Sequence, residues 1–472
     1  MKLTLNDIRR LKPAEIRNGE MLERKPLAGV STDSRTVAHG ELFVALRGPN
    51  FDGHRFIAEA VARGARAVVV DAAGRRGLWP RVAEIVVSDT TTALGNLAHL
   101  YRRKFDIPVV AIGGSSGKTT TKDMVAAVLG ARYRVLSTDK NFNNQIGVPK
   151  TLFRMDETHE IAVIEIGTNH PGELRSLCDI LEPTHGLLTN IGREHLEFFQ
   201  SIDGVEEEEG MLFDHLAQRS GTTAFVNADD PRVVARAHWC RKKLAYGFGG
   251  RISGVRGRKL RLGDTACAQF EFLGGRIKKA VPVQLGIPGR HQAMNALAAA
   301  AIGLAFRVQP GAIAGALGAF CASDKRMEVL DMVGITVLND TYNANPDSTI
   351  AALETLAAMR LPGKRIAVLG DMLELGSREK EEHRRVGEAA SRLGIDYLLT
   401  FGPRARQIHE AATTTFAVHY EQKNVLAEYL AELVAPGDAV LLKGSRGTTM
   451  EDIVTFLGQR LQETAQQQGA FS

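Results

Sequence analysis

A strand-forming run, PVVAIGG, passes into Gly113-Gly114-Ser115-Ser116-Gly117-Lys118-Thr119-Thr120, and a helix-forming run, TKDMVAAVL, follows. Glycines let such a loop turn its backbone amides toward phosphate oxygens, and the helix N-terminus adds partial positive charge. Lys118 is spaced to reach the β- and γ-phosphates, and the Thr119 hydroxyl is spaced to hold Mg²⁺. The pattern GxxxxGK[ST] fails at one position, where Ile112 replaces the first glycine. Strand, GKT and helix together predict an ATP or GTP site formed by Gly114, Ser115, Ser116, Gly117, Lys118, Thr119 and Thr120.

Two further residues suit cation chemistry. Glu165 interrupts the apolar strand of EIAVIEIGTNHPGEL, and His195 follows the strand of HGLLTNIGREHLEFF. A carboxylate in an apolar strand needs a cation or a partner. Ligands of open α/β sheets gather at the carboxyl ends of the strands, where both residues fall. A salt bridge for Glu165 and a helix cap for His195 are the structural alternatives. LNDTYNANPDS places Asn343, Asn345 and Ser348 in a turn rich in hydrogen-bonding groups. They are candidate substrate contacts, or else an ordinary turn before a helix capped by Asp347 or Ser348. Asp371, Lys443, Ser445 and Arg446 also stand just after strands.

The stretch GVEEEEGMLF sets four acids, Glu206 to Glu209, ahead of an apolar cluster. At 100° per residue Glu209 falls within the stripe of Val205, Leu212 and Leu216. Glu206, Glu207 and Glu208 read as the charged flanks of a helix. An inward Glu209 requires a cation or a hydrogen-bond donor.

These residues must be carried by a long chain. Its 472 residues exceed one ordinary core and predict two to four domains. Short apolar strands alternate with helical runs in three segments, the signature of largely parallel sheets covered by helices. Asp106-Ile107-Pro108 reads as one boundary and the stretch near Ala322 to Arg326 as another. From Gly247 to Pro288 short β pieces suggest an antiparallel addition. HQAMNALAAAAIGLAF reads as a closely packed helix, and the last ten residues as a frayed end. No apolar run approaches the length of a membrane span, and the N-terminal stretch lacks the apolar core of a signal peptide. The four scattered cysteines read as reduced thiols of a cytoplasmic protein. A net charge of +5 without a long basic block favours anionic small molecules over nucleic acid, or is ordinary surface charge.

The order of motifs resembles the Mur ligases. STDSRTV, LRGPNFDGHRF, GGSSGKTT, NFNNQIGVP, EIGTNHPGE, NIGREHLEFF, HQAMNALAA, DTYNANPDS and GDMLELG carry the likeness over essentially the whole chain. The resemblance implies a three-domain α/β architecture with a central P-loop ATPase-like domain and a C-terminal Rossmann-like domain. It places a UDP-substrate domain at 1–105, an ATP domain at 106–322 and the Rossmann-like domain at 323–472. DTYNANPDS with GDMLELG resembles the ligases that add D-alanyl-D-alanine to UDP-N-acetylmuramoyl-tripeptide for peptidoglycan, using ATP and Mg²⁺. A related ligase for another amino acid or peptide, or a nucleotide-binding protein without turnover, are the alternatives.

Carried over by position, Lys118 and Thr119 are the phosphate-loop ligands, and Glu165 and His195 bind Mg²⁺. Asn295 contacts adenine, while Arg326 and Asp340 reach phosphates and ribose. Ser34, Arg35, Arg47 and His54 match the UDP region, and Asn143 and Asn144 the substrate region. Small molecules are the expected partners of a monomer. One position departs from the family: a lysine fourteen residues after the histidine is normally carbamylated there, and here it is Glu209. Glutamate is shorter than that carbamate by roughly 3–4 Å. Three readings of Glu209 follow: a metal ligand in its place, directly or through a water, a salt-bridge partner, or the mark of a lost second metal site.

Overall fold

A computed structural model describes residues 3–469 apart from 24, 75–78, 250, 251, 276, 278, 323, 324, 414 and 415. The chain forms two compact units. The first comprises 1–111, 133–168 and 172–184, and the second 112–132, 169–171 and 185–472.

In the first unit five strands lie in the order Glu15–Arg17, Ala83–Val87, Ala67–Asp71, Leu42–Val44 and Val30–Ser31. All neighbours are parallel except the edge strand Glu15–Arg17. Val68, Val70, Phe43 and Ile57 form part of the apolar core beneath it. Strand Ile161–Glu165, which carries Glu165, pairs in parallel with Val135–Ser137 in the same unit.

In the second unit His185–Leu188, Thr223–Asn227, Lys243–Gly247 and Val255–Leu262 run parallel in that order. Cys267–Gly274 and Val281–Pro288 continue the sheet antiparallel, as the Gly247 to Pro288 segment predicts. The alanine-rich helix Arg290–Ala305 buries nearly every face. It packs on the phosphate-loop helix Lys118–Gly130, where Gly303 leaves room for Val128.

A second sheet of this unit has six strands: Glu328–Met332, Ile335–Asp340, Ala439–Lys443, Arg365–Gly370, Tyr397–Phe401 and Phe416–Tyr420. The first pair is an antiparallel hairpin and the rest are parallel. Residue 323, where the third domain is expected to begin, lies outside the described residues. The expected frayed end is instead helical as far as Gly469, in the helix Glu451–Gly469. Glu, Gln, Leu and Ala there are good helix formers, and Ile453 and Leu457 anchor the helix in the core. Residues 470–472 lie outside the described set.

Candidate active site

The phosphate loop is held from beneath by the end of the neighbouring strand. The Ser115 N–H donates to the Asn190 carbonyl at 3.0 Å. The Asn190 side chain then takes both backbone groups of Ser116, accepting from its N–H at 3.1 Å and donating to its carbonyl at 2.9 Å. Thr189 Oγ1 donates to the same carbonyl at 2.7 Å. Gly114 has φ +112°, and a Cβ there would lie 2.3 Å from Thr189 Oγ1, so only glycine fits. Gly117, at φ +80°, starts the helix, with the Asn295 amide 2.9 Å from where a Cβ would stand. Asn295 is buried, and its Nδ2 donates to Gln292 Oε1 at 2.9 Å.

Lys118 Nζ donates to the Gly114 carbonyl and to Glu194 Oε2, the latter at 3.1 Å. Glu209 is fully buried, and its Oε2 accepts the Gly114 N–H at 2.6 Å. Periodicity thus placed Glu209 inward, and its donor is the phosphate loop itself. Burial, with Glu194 alongside, pushes its carboxyl up to about 8, although Lys118 and the Gly114 amide oppose the rise. Helix Ile202–Ala217 carries it, capped by Ser201 Oγ on the Gly204 N–H. Glu206 pairs with Arg232, and Glu207 is exposed. Glu208 departs from the sequence reading: it is buried. The helix packs on strand His185–Leu188 and on the helices Leu196–Phe199 and Pro231–Arg236, so its buried arc is wider than one apolar stripe.

Oxygens suited to a hard cation stand ready. Thr119 Oγ1, Glu194 Oε1 and Glu209 Oε1 are buried without hydrogen-bond partners, as is Glu165 Oε2 in the first unit. Mg²⁺ takes such oxygens one or two at a time, with waters and substrate phosphates completing its shell. Among the described residues no three His, Cys, Asp or Glu side chains already form a cage. The residues present fit a Mg²⁺ that binds together with nucleotide. His195 has left-handed backbone, φ +47°, and its Nδ1 lies 2.6 Å from Glu374 Oε2. That is ion-pair range, although the ring is turned away from a straight hydrogen bond.

The turn after strand Ile335–Asp340 reaches the loop. Asn345 Nδ2 donates to Ser116 Oγ at 3.1 Å. Asn345 also caps helix Pro346–Ala358 in a capping box with Ser348, where Asp347 or Ser348 was the expected cap. Proline at the first helical position fixes the cap one residue earlier. Asp347 is used elsewhere: it accepts the Arg193 N–H at 2.8 Å and pairs with Arg385 at 3.0 Å. Asp340 has both oxygens engaged, by Lys443 Nζ at 2.6 Å and the Met327 N–H at 3.0 Å. Arg326 stacks over the Tyr342 ring at 3.8 Å. Asn343 offers its carbonyl to Lys443 at 2.9 Å.

The remaining predicted residues belong to the first unit. Asn143 Nδ2 donates to Glu165 Oε1 at 2.8 Å, joining two of them directly. Asn144 Oδ1 accepts the Ile146 and Gly147 N–H groups. Ser34 is buried and donates to Glu59 at 2.8 Å, while Arg35 is exposed and pairs with Asp33 at 2.7 Å. Arg47 pairs with Asp71 at 3.2 Å. His54 is buried with both ring nitrogens engaged, by Asp52 at 2.7 Å and the Asp71 N–H at 3.2 Å.

Three family models match this chain: "Mur ligase family, catalytic domain" over 26–102, "Mur ligase middle domain" over 112–303, and "Mur ligase, glutamate ligase domain" over 325–446. The UDP-N-acetylmuramoyl-tripeptide–D-alanyl-D-alanine ligase of Bacillus subtilis is 34% identical over 97% of this chain and 98% of its own. The chain belongs to the Mur ligase family. The ligase of the same name from Escherichia coli is 36% identical over 94% of this Mur ligase and 96% of itself. MurF from Acinetobacter baumannii superposes with a TM-score of 0.88 at 29% identity, covering 97% and 99% of the two chains. MurF ligase from Thermotoga maritima, solved in complex with ADP, gives 0.82 at 29% identity, covering 92% and 98%. The three-domain Mur ligase architecture expected from the motifs is therefore the architecture of this chain.

Sequence reading missed Glu194, Asn190 and Glu374. Glu194 adjoins His195 at a strand end, which is a usable signal. The other two act through contacts distant in sequence.

Proposed function

We propose that this Mur ligase joins D-alanyl-D-alanine to UDP-N-acetylmuramoyl-tripeptide at the expense of ATP, as a cytoplasmic monomer with domains at 1–105, 106–322 and 323–472. The observation that carries the reading is chain-long similarity to ligases of that name, set over a phosphate loop with ordered lysine and amides.

The chemistry is that of an activated carboxylate. An oxygen of the tripeptide carboxylate attacks the γ-phosphorus, the bond to the β–γ bridging oxygen breaks, and ADP leaves an acyl phosphate. The amine of D-alanyl-D-alanine then attacks the acyl carbon, phosphate departs from the tetrahedral intermediate, and the nitrogen gives up a proton. The first step brings anion to anion, so charge neutralisation dominates its barrier. Lys118 exchanges Glu194 for the phosphates, and the amides of 114–120 receive the oxygens. Thr119, His195 and Glu209 would hold Mg²⁺, whose charge would offset that of the phosphates; Glu165 is a candidate metal-binding oxygen of the first unit. Asn295, Arg326 and Asp340 serve the nucleotide. Ser34, Arg35 and Arg47 serve the UDP end, with His54 supporting them through Asp52 and Asp71. Asn143 and Asn144 serve the tripeptide, and Asn343, Asn345 and Ser348 the turn beside the loop.

The test is phosphate release from ATP with UDP-N-acetylmuramoyl-tripeptide, with and without D-alanyl-D-alanine. Release that needs both substrates is expected. Release driven better by another amino acid or dipeptide would assign a different Mur-type specificity, and none under any condition would overturn the reading.

A further inference from the structure

The loop Asp371 to Gly376 follows strand Arg365–Gly370 and is fixed at several points. Asp371 Oδ1 accepts the Arg404 and Ala405 N–H groups at 3.0 and 2.7 Å. The Met372 N–H donates to His383 Nε2 at 3.0 Å, and the Leu373 N–H to Ser445 Oγ at 2.9 Å. The loop also meets the segment that bears His195. The Glu374 carbonyl accepts the Glu197 N–H at 3.0 Å. Gly376, at φ +54°, passes so near Glu197 that a Cβ would come within 2.9 Å of its Cα. Between these two anchors the Glu374 carboxylate reaches the Nδ1 side of His195 at 2.6 Å.

Both members of this pair sit in left-handed backbone, His195 at φ +47° and Glu374 at φ +62°. Such conformations are costly for residues with side chains and collect at functional sites. The Glu374 side chain is 46% exposed, and an ion pair that wet adds little stability. Stability alone does not account for two strained residues brought together. A metal-binding histidine commonly gives its other ring nitrogen to a carboxylate, which sets the tautomer and the direction of the ring.

We propose that Glu374 is the positioning residue for His195: its carboxylate takes the Nδ1 side of the imidazole and leaves Nε2 as the face offered to a divalent cation. The role given to Nε2 rests on the ligase reading above, whereas the pairing itself does not. The C-terminal segment thus supplies a part of the middle segment's metal chemistry without touching the metal.

The test uses full-length protein labelled with ¹⁵N-histidine, free of metal and nucleotide at pH 8.5, with the His195 signals assigned by their loss in His195→Gln. Long-range ¹H–¹⁵N correlations should show the proton on Nδ1 in the parent and its redistribution toward Nε2 in Glu374→Gln, with Glu374→Asp intermediate. In turnover assays Glu374→Gln should raise the Mg²⁺ concentration for half-maximal rate about 10- to 100-fold, with little change in KM for D-alanyl-D-alanine. A parent proton on Nε2, or a Glu374→Gln variant with unaltered tautomer, would overturn the proposal. An unaltered Mg²⁺ requirement in a folded, active variant would overturn it as well. If the tautomer shifts as stated but no ligase activity exists in the parent, the pairing stands and the functional reading falls.

Discussion

The Gly114 N–H donates to Glu209 and the Gly114 carbonyl accepts from Lys118, so one loop residue links the two ionisable side chains. The Glu209 carboxyl, pushed up to about 8 from an ordinary 4.5, binds a proton more tightly folded than unfolded. Its stabilising contribution is therefore complete below 4.5 and is lost as pH rises through about 8. Glu209→Gln should flatten that dependence, shrinking the stability difference between acidic and alkaline buffers by on the order of 2–4 kcal/mol. Urea denaturation of metal-free protein measures it, and identical pH profiles for parent and variant would contradict it. The same variant should lower the rate by about 10- to 100-fold at limiting Mg²⁺, as weakening of a metal site does. Near-normal turnover would remove Glu209 from the chemistry. Helical periodicity made Glu209 legible because an acid inside an apolar stripe has nowhere else to point. It misjudged Glu208, since the stripe cannot show how many neighbours cover a helix, and it said nothing of Glu194, whose partner Lys118 is far away in sequence.

At the level of elements, the turn before helix Pro346–Ala358 has two tasks in one side chain. Asn345 Oδ1 accepts the Ser348 N–H at 2.8 Å, and its Nδ2 donates to Ser116 Oγ at 3.1 Å. Asn345→Ala should cost about 1 kcal/mol through the cap and also raise KM for ATP several-fold. Asn345→Asp should keep the cap while losing the donor, so the KM effect should persist without the stability effect. Urea midpoints and steady-state kinetics separate the two, and an Asp variant with normal KM would show that Ser116 does not depend on this contact. The strands around the site were legible because buried parallel strands read as continuous apolar runs. The choice of cap was not, because Asn345, Asp347 and Ser348 are all good caps and only the geometry of Pro346 and the demand of Arg193 on Asp347 decide among them.

The molecule as a whole is two compact units, each with apolar cores of its own. Unfolding should therefore depart from a single two-state transition. A non-hydrolysable ATP analogue with Mg²⁺ should raise the transition of the unit that contains the phosphate loop, by about 2.7 kcal/mol at a hundred times Kd. Differential scanning calorimetry checks this, and one transition that shifts rigidly with nucleotide would show the units to be thermodynamically inseparable. The βα alternation made the domain class readable over the chain. The division into these units was not, because the first unit gathers 133–168 and 172–184 from beyond the phosphate loop, and such long-range association leaves no mark in local periodicity.

The Glu209 bond to the Gly114 amide also bears on supply. A carbamate is a reversible adduct, present only while dissolved carbon dioxide sustains it, whereas a carboxylate translated into the chain is complete as soon as the chain folds. Degassed buffer, added bicarbonate and long storage should then leave the rate of this enzyme unchanged. A rate that climbs with added bicarbonate would show instead that a carbamylated side chain, and not Glu209, completes the site.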